Sequence, residues 1–197
     1  MADTYADQDL NPAAGATLRA DAARNLAKII EAGRYVVAEA GADAQIEDIA
    51  HRAGVGVATI YRRFGSKQGL LEALVADSIR NMDQRARPYA DSADALQGLL
   101  DVLTMLLDLA ARDRHLLIAQ AGTPYPAASG VTPDSELYAT LQHLFARAQR
   151  DGQIRPELTL DAIQPLITGM ITATIHHPDD PTRHTALDVI ARGIRTN

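Results

Sequence analysis

Cysteine is absent from this 197-residue chain, which excludes disulfides, thiol nucleophiles and cysteine-ligated zinc or iron–sulfur centres. Also missing is any apolar run of about eighteen residues, the length a membrane-spanning helix needs. The first residues, MADTYADQDL, are acidic where a secretion signal is basic, so the expectation is a cytoplasmic protein that meets no membrane. Strand alternation, internal repeats and heptad arrays do not appear either. Catalytic signatures are equally scarce: there is no G-x-S-x-G elbow and no H-E-x-x-H pair. Gly65-Ser66-Lys67 lacks the preceding strand and glycine spacing of a phosphate-binding loop, and Gly54-Val55-Gly56 reads as a helix turn. His176 and His177, beside Asp179 and Asp180, look like metal ligands, but adjacent helical positions diverge by about 100°. Histidines stabilising a helix C-terminus are the better reading. The expectations are no enzyme, no cofactor and no metal.

What remains is 47% apolar and 22% charged residues, the balance of a globular protein. The apolar positions recur at helical spacing throughout, so the fold class is all-α. Net charge is −6, which by itself counts against a nucleic-acid partner. Its distribution reverses that. Between Ile49 and Leu71 no acidic residue occurs, whereas Arg52, Arg62, Arg63 and Lys67 are basic. Charges screened over about 8 Å at physiological salt leave such a local positive face intact on an acidic protein.

The same stretch, QIEDIAHRAGVGVATIYRRF over residues 45–64, reads as two short helices joined by a glycine turn. Ile46, Ile49, Ala50 and Ala53 share one face of the first. Gly54 falls where a chain leaving a helix needs positive φ. The second helix runs from Val57 to about Arg63, with Val57, Ile60 and Phe64 inward. Ala58 and Arg62 form one outward row, Thr59 and Arg63 another. A rod of about 10 Å fits a major groove about 12 Å wide. Arg62 and Arg63 supply charge for guanine or phosphate, and the Tyr61 hydroxyl can reach a phosphate oxygen. Ser66 caps a further helix with Lys67 in its first turn, a placement that favours an anion nearby.

AGVGVATIYRRFGSKQGLLEAL closely resembles the signature of the TetR (tetracycline-repressor) family of bacterial transcription regulators, roughly A-G-V-S-x-x-T-[LI]-Y-x-[YH]-F-x-[ST]-K-x-x-L-[LF]. The match extends over about residues 22 to 76. Gly56 departs from it, standing where the family commonly has serine or another cap. The resemblance implies that Tyr61 and Lys67 contact phosphates, that Val57, Ala58, Thr59 and Arg62 face bases, and that Gln45 lies near the DNA backbone. Arg63 stands where the family often has a polar or aromatic residue, and its target is open.

Four segments follow from the pattern, with the roles that the resemblance implies for them. Residues 1–20, rich in Ala and Asp without apolar periodicity, read as a mobile arm, whose Arg19, with Arg24 beyond it, is either solvated or reaches a minor groove. Residues 21–66 form a three-helix DNA-binding domain, opened by a helix from Asp21 to Ala40. Residues 67–91 are a linking helix. Residues 92–197 are a helical bundle for ligand binding and dimerisation, with Ser92 or Asp94 capping its first helix, Pro133-Asp134 starting a later one and Thr159 capping another. The segment GTPYPAASGVTP between them reads as a loop.

Within the bundle, Asp101 and Asp108 sit two turns apart on the most apolar helix. They are either its solvent edge or buried groups that orient a ligand. Met105, His115, Tyr125, Tyr138, Phe145 and Met170 are core-like residues able to line the same cavity. The stripes Ile163, Ile167, Met170, Ile171 and Ile175, then Leu187, Ile190 and Ile194, exceed what one small bundle buries, so a homodimer is expected across them. In the resembling family the last two helices form such an interface. Together the residues and the resemblance imply a homodimeric, ligand-responsive regulator, most often a repressor, that binds a palindromic operator in double-stranded DNA and responds to a small lipophilic effector. The alternative is a helical ligand carrier or enzyme with a vestigial DNA-binding head.

Overall fold

The computed structural model describes residues 12–119, 135–179 and 181–196. Among them run nine α-helices and no extended strand: α1 (Pro12–Ala40), α2 (Ile46–Ala53), α3 (Val57–Phe64), α4 (Lys67–Ala86), α5 (Ala95–Arg112), α6 (Arg114–Ala119), α7 (Glu136–Arg150), α8 (Leu160–His176) and α9 (Thr182–Ile194). The architecture is all-α, a helix-turn-helix head followed by a helical bundle.

α1 begins at Pro12, so residues 12–20 are helical and not the arm expected from sequence. Proline fits the first helical position, where its missing N–H has no partner to lose. Ala13, Ala14, Ala16 and Ala20 then favour helix by propensity alone. A helix held that way carries no apolar stripe to detect. Residues 1–11, like the side chain of Arg19, lie outside the described residues. Further along, Ile29, Ile30, Val36 and Val37 are buried, Leu26 is half-buried and Ala40 is exposed.

The head packs α1 to α4 around one core. Ile46, Ile49, Ala50 and Ala53 bury the inner face of α2 as the spacing predicts, and Ile60 anchors α3. Gly54 ends α2 at φ 68°, and the Val55 N–H returns to the Ala50 carbonyl at 3.0 Å. That left-handed closure turns the chain into α3 within a few residues.

α4 belongs to two cores. Leu70, Leu71, Leu74 and Val75 pack into the head, whereas Met82 and Ala86 pack into the bundle. Its N-terminus is capped by Ser66, whose Oγ accepts the Gly69 N–H at 3.0 Å. In the bundle, α5 packs against α7, α8 and α9 and buries Leu99, Val102, Leu103 and Leu107 completely. Asp94 caps it, accepting the Gln97 N–H at 3.0 Å. Ser135 caps α7 and Thr159 caps α8, at 3.1 and 3.2 Å. Pro133, Asp134 and the GTPYPAASGVTP segment lie outside the described residues. α8 runs through Pro165 from Leu160 to His176. Its approach is held by Gln149, whose amide donates to the carbonyls of Arg155 (3.1 Å) and Leu158 (2.8 Å).

Candidate nucleic-acid interface and effector region

α3 presents the two faces its spacing requires. Ile60 is fully buried, Val57 and Phe64 are half-buried, and Ala58, Tyr61, Arg62 and Arg63 are exposed. Thr59 is half-buried between them. Tyr61 is 46% exposed, unusual for so large a ring and available for contact outside the protein. Gly56 supplies no side-chain cap. The Thr59 N–H instead bonds to the Gly56 carbonyl at 2.8 Å. Arg63 borders two clefts against α1, one including Leu26 and Ile30, the other Ala22 and Asn25. It therefore stands beside α1, as Arg62 does at the second cleft, while Ala58 and Tyr61 form the outer edge of α3.

Gln45 and Lys67 meet the same short turn between α1 and α2. The Gln45 amide donates to the Asp43 carbonyl at 2.6 Å, and the Lys67 ammonium donates to the Ala42 carbonyl at 2.8 Å. Two ammonium protons of Lys67 remain for another acceptor. Glu47 and Asp48, both exposed, occupy the first turn of α2. They suit the helix dipole and repel phosphate, so the positive side of this surface is carried by α3 and the start of α4.

The effector residues named from sequence fall into three groups. Met105, Tyr138, Phe145 and Met170 are buried in the bundle core. Asp101 and Asp108 are not buried pocket groups. Asp101 is half-buried and accepts the Gln97 amide at 2.8 Å; Asp108 is exposed and meets Arg183 at 3.4 Å. They are the solvent edge of α5. His115 is also displaced from the expected cavity. Its ring packs beside Gly41, because α6 docks on α1 and on the turn at Gly41–Asp43 and buries Leu116 in the head core. Tyr125 lies outside the described residues.

A small cavity of about 30 Å³ lies where α4, α5, α6 and α8 meet. Val75, Ile79, Met82, Leu106, Leu117 and Ile171 line it, with Asp113 its one charged neighbour. Sequence reading did not single out these residues as a cavity lining, because helical apolar spacing marks core without marking which core gap stays open. The Asp113 carboxylate accepts the buried Ser78 hydroxyl at 3.0 Å and pairs with Arg112 at 2.9 Å. Ser78 in turn accepts from Arg34 of α1 at 3.0 Å. A polar chain thus runs from head to bundle beside the cavity.

Among the described residues three groups titrate away from their ordinary values. Burial raises the Asp83 carboxyl, opposed by the Leu137 N–H. The Gln97 N–H and then the Gln153 amide hold Asp94 low. The hydrogen bond from the Tyr138 hydroxyl to Asp161 raises Tyr138.

The dimer residues named from sequence need correction. Ile163, Ile167, Met170, Ile171, Ile175, Leu187 and Ile194 are buried within the single chain, and Ile190 is half-buried. The outward apolar face of α8 is instead Ala162, Pro165, Leu166, Gly169 and Ala173, beside Ala186, Val189 and Gly193 on α9. Leu166 is 57% and Val189 65% exposed. Both stripes are apolar, and periodicity alone does not say which one faces the core.

Comparison with known proteins agrees with this geometry. The model of bacterial regulatory proteins of the tetR family matches residues 29–74, and that of the SbtR-like transcriptional regulator C-terminal domain matches residues 99–196. A TetR transcription regulatory protein from Mycobacterium vanbaalenii is 31% identical, with a TM-score of 0.65 over 91% of this chain and 99% of its own. A TetR transcriptional regulator from Streptomyces coelicolor, 24% identical with a TM-score of 0.62 over 86% of this chain and 98% of its own, shares the fold. The HTH-type transcriptional repressor KstR of Rhodococcus jostii is 29% identical over 132 residues, a match that spans 64% of this chain and 60% of that repressor. On the matched head, the matched bundle and the relative aligned almost end to end, the chain belongs to the tetR family of bacterial regulatory proteins.

Proposed function

We propose that the protein is a homodimeric repressor that binds a palindromic operator and is released by a small lipophilic effector. The observation that carries this reading is the exposed row Ala58, Tyr61 and Arg62, standing on a fully buried Ile60 within an acid-free stretch. In the proposed complex α3 enters the major groove. Val57, Ala58, Thr59 and Arg62 face base edges, Tyr61 and Lys67 take phosphates, and Gln45 lies near the backbone. Arg63, beside α1, takes a flanking phosphate.

The effector would enter between α4, α5, α6 and α8. Space there is now about 30 Å³, roughly the volume of one water in the liquid, so a larger apolar guest must push α4 away from α5 and α8. Because α4 carries part of the head core, that displacement re-aims the reading helix. A tenfold loss of operator affinity needs only about 1.4 kcal/mol of preference for the displaced state.

Fluorescence anisotropy with DNA from upstream of the protein's own gene tests the reading. Binding should be saturable and salt-sensitive. Lys67→Ala should weaken all sequences alike and lower the salt slope by about one, whereas Arg62→Ala should relax preference at one base position. Absence of salt-sensitive binding to any fragment would favour the ligand carrier instead.

A further inference from the structure

A second cleft, of about 850 Å³, lies between α1, the last turn of α2 and the α5–α6 junction. It shares no residue with α3 or the Ser66–Lys67 turn. Lys28, Ala32, Tyr35 and Ala38 follow one another along a single face of α1, and His51, Arg52 and Arg112 approach it from the other elements. The charges are lopsided: Lys28, Arg34, Arg52 and Arg112 against Glu31 and Asp113.

Two of those arginines are engaged. Arg34 meets Asp77 at 2.9 Å and Ser78 at 3.0 Å, and Arg112 meets Asp113 at 2.9 Å. Arg52 is held differently. Its guanidinium carbon lies 3.1 Å from the centroid of the Tyr35 ring. A cation held over a ring keeps its N–H donors available for an acceptor. No side-chain hydrogen bond or ion pair of Lys28, His51 or Arg52 occurs among the described residues.

Offsetting of helix dipoles accounts for basic residues at the ends of α2 and α5. It does not account for Lys28, which lies mid-way along α1. Nor does it explain why Tyr35, 44% exposed, stands under Arg52, or why the three elements leave a volume typical of small-molecule sites.

We propose that this cleft binds a small molecule bearing phosphate groups. The edge of Arg52 takes two phosphate oxygens, the geometry for which a planar fork is suited. Lys28 supplies a second positive charge about two helical turns from Tyr35 along the same face of α1, and Tyr35 orients the guanidinium. This assignment is independent of the operator reading, because its lining residues and its direct readout are separate from DNA.

Calorimetric titration of the full chain with inorganic pyrophosphate tests it, with sulfate and a random-sequence DNA duplex as comparison arms. Saturable binding to one site per chain is expected, tighter than for sulfate. Lys28→Gln with Arg52→Gln should weaken it by about tenfold or more. Tyr35→Leu should weaken it less, and Arg52→Lys should fail to restore it fully, since lysine keeps the charge but loses the fork. The three side chains changed in these variants, Lys28, Tyr35 and Arg52, are exposed, so circular dichroism should be unchanged. Three results would overturn the proposal: no saturable heat, equal binding by the double variant, or an equal loss of affinity for the random duplex, which would make the cleft a DNA-backbone contact.

Discussion

The carbonyl oxygen of Phe64 lies 2.2 Å from where a β-carbon on Gly69 would have to be. The first turn of α4 therefore comes against the end of α3 at backbone distance, and the Ser66 cap closes on the same Gly69 N–H. Gly69→Ala should displace that junction and cost about 2–4 kcal/mol, the sum of overpacking and a disturbed cap. Thermal denaturation measures the loss, and operator affinity should fall with it because the reading helix ends at this contact. Asp83 makes a pH-dependent counterpart. Its raised carboxyl binds a proton more readily folded than unfolded, so its contribution is favourable below the ordinary value of 3.8 and is lost as pH rises through the folded value. Asp83→Asn should therefore gain stability relative to the parent at about pH 7 and lose that advantage near pH 4. An unchanged difference in melting temperature across that range would contradict the assignment.

Caps separate the elements that sequence makes legible from those it does not. Ser66, Asp94 and Thr159 act on N–H groups three residues away, a purely local chemistry, and each is readable in the chain. The same holds for the closure at Gly54. α6 shows the opposite case. Six residues cannot bury a face by themselves, so the docking of His115 and Leu116 on the head is decided by what α1 and the Gly41 turn offer, not by spacing. The early start of α1 escaped for a related reason, since alanine propensity leaves no stripe. Asp94 gives the test at this scale. Its lowered carboxyl contributes stability above the ordinary value and loses it as pH falls through the lower folded value. Asp94→Ala should cost about 1 kcal/mol at neutral pH, Asp94→Asn less because its amide oxygen still accepts, and the difference from the parent should narrow in acid. Chemical denaturation at the two pH values measures both.

The two cores and the helix they share set what the whole molecule can do. α4 is about 30 Å long, and it ties the Leu70–Leu74 packing of the head to the Met82–Ala86 packing of the bundle. One such head reads few bases, and selectivity for a palindrome demands two of them about 34 Å apart. In the homodimer proposed above, the apolar face left outside the chain would hold the second head. Leu166 and Val189 rise from a floor of Ala162, Gly169, Ala173, Ala186 and Gly193, and small residues of that kind let helices from another copy approach closely. An exposed apolar surface of this sort marks an association site, and the buried isoleucines beneath it cannot serve. Leu166→Glu, with Val189→Glu where one charge is insufficient, should yield a folded monomer by sedimentation velocity, with unchanged helical content. Operator affinity should fall by at least about a hundredfold, because two half-site contacts are no longer made by one particle. Salt-dependent, non-specific binding should persist, since α3 and Lys67 are untouched. A variant that remains dimeric would move the interface elsewhere on the bundle, and a monomer that kept full operator affinity would remove the need for a pair of heads.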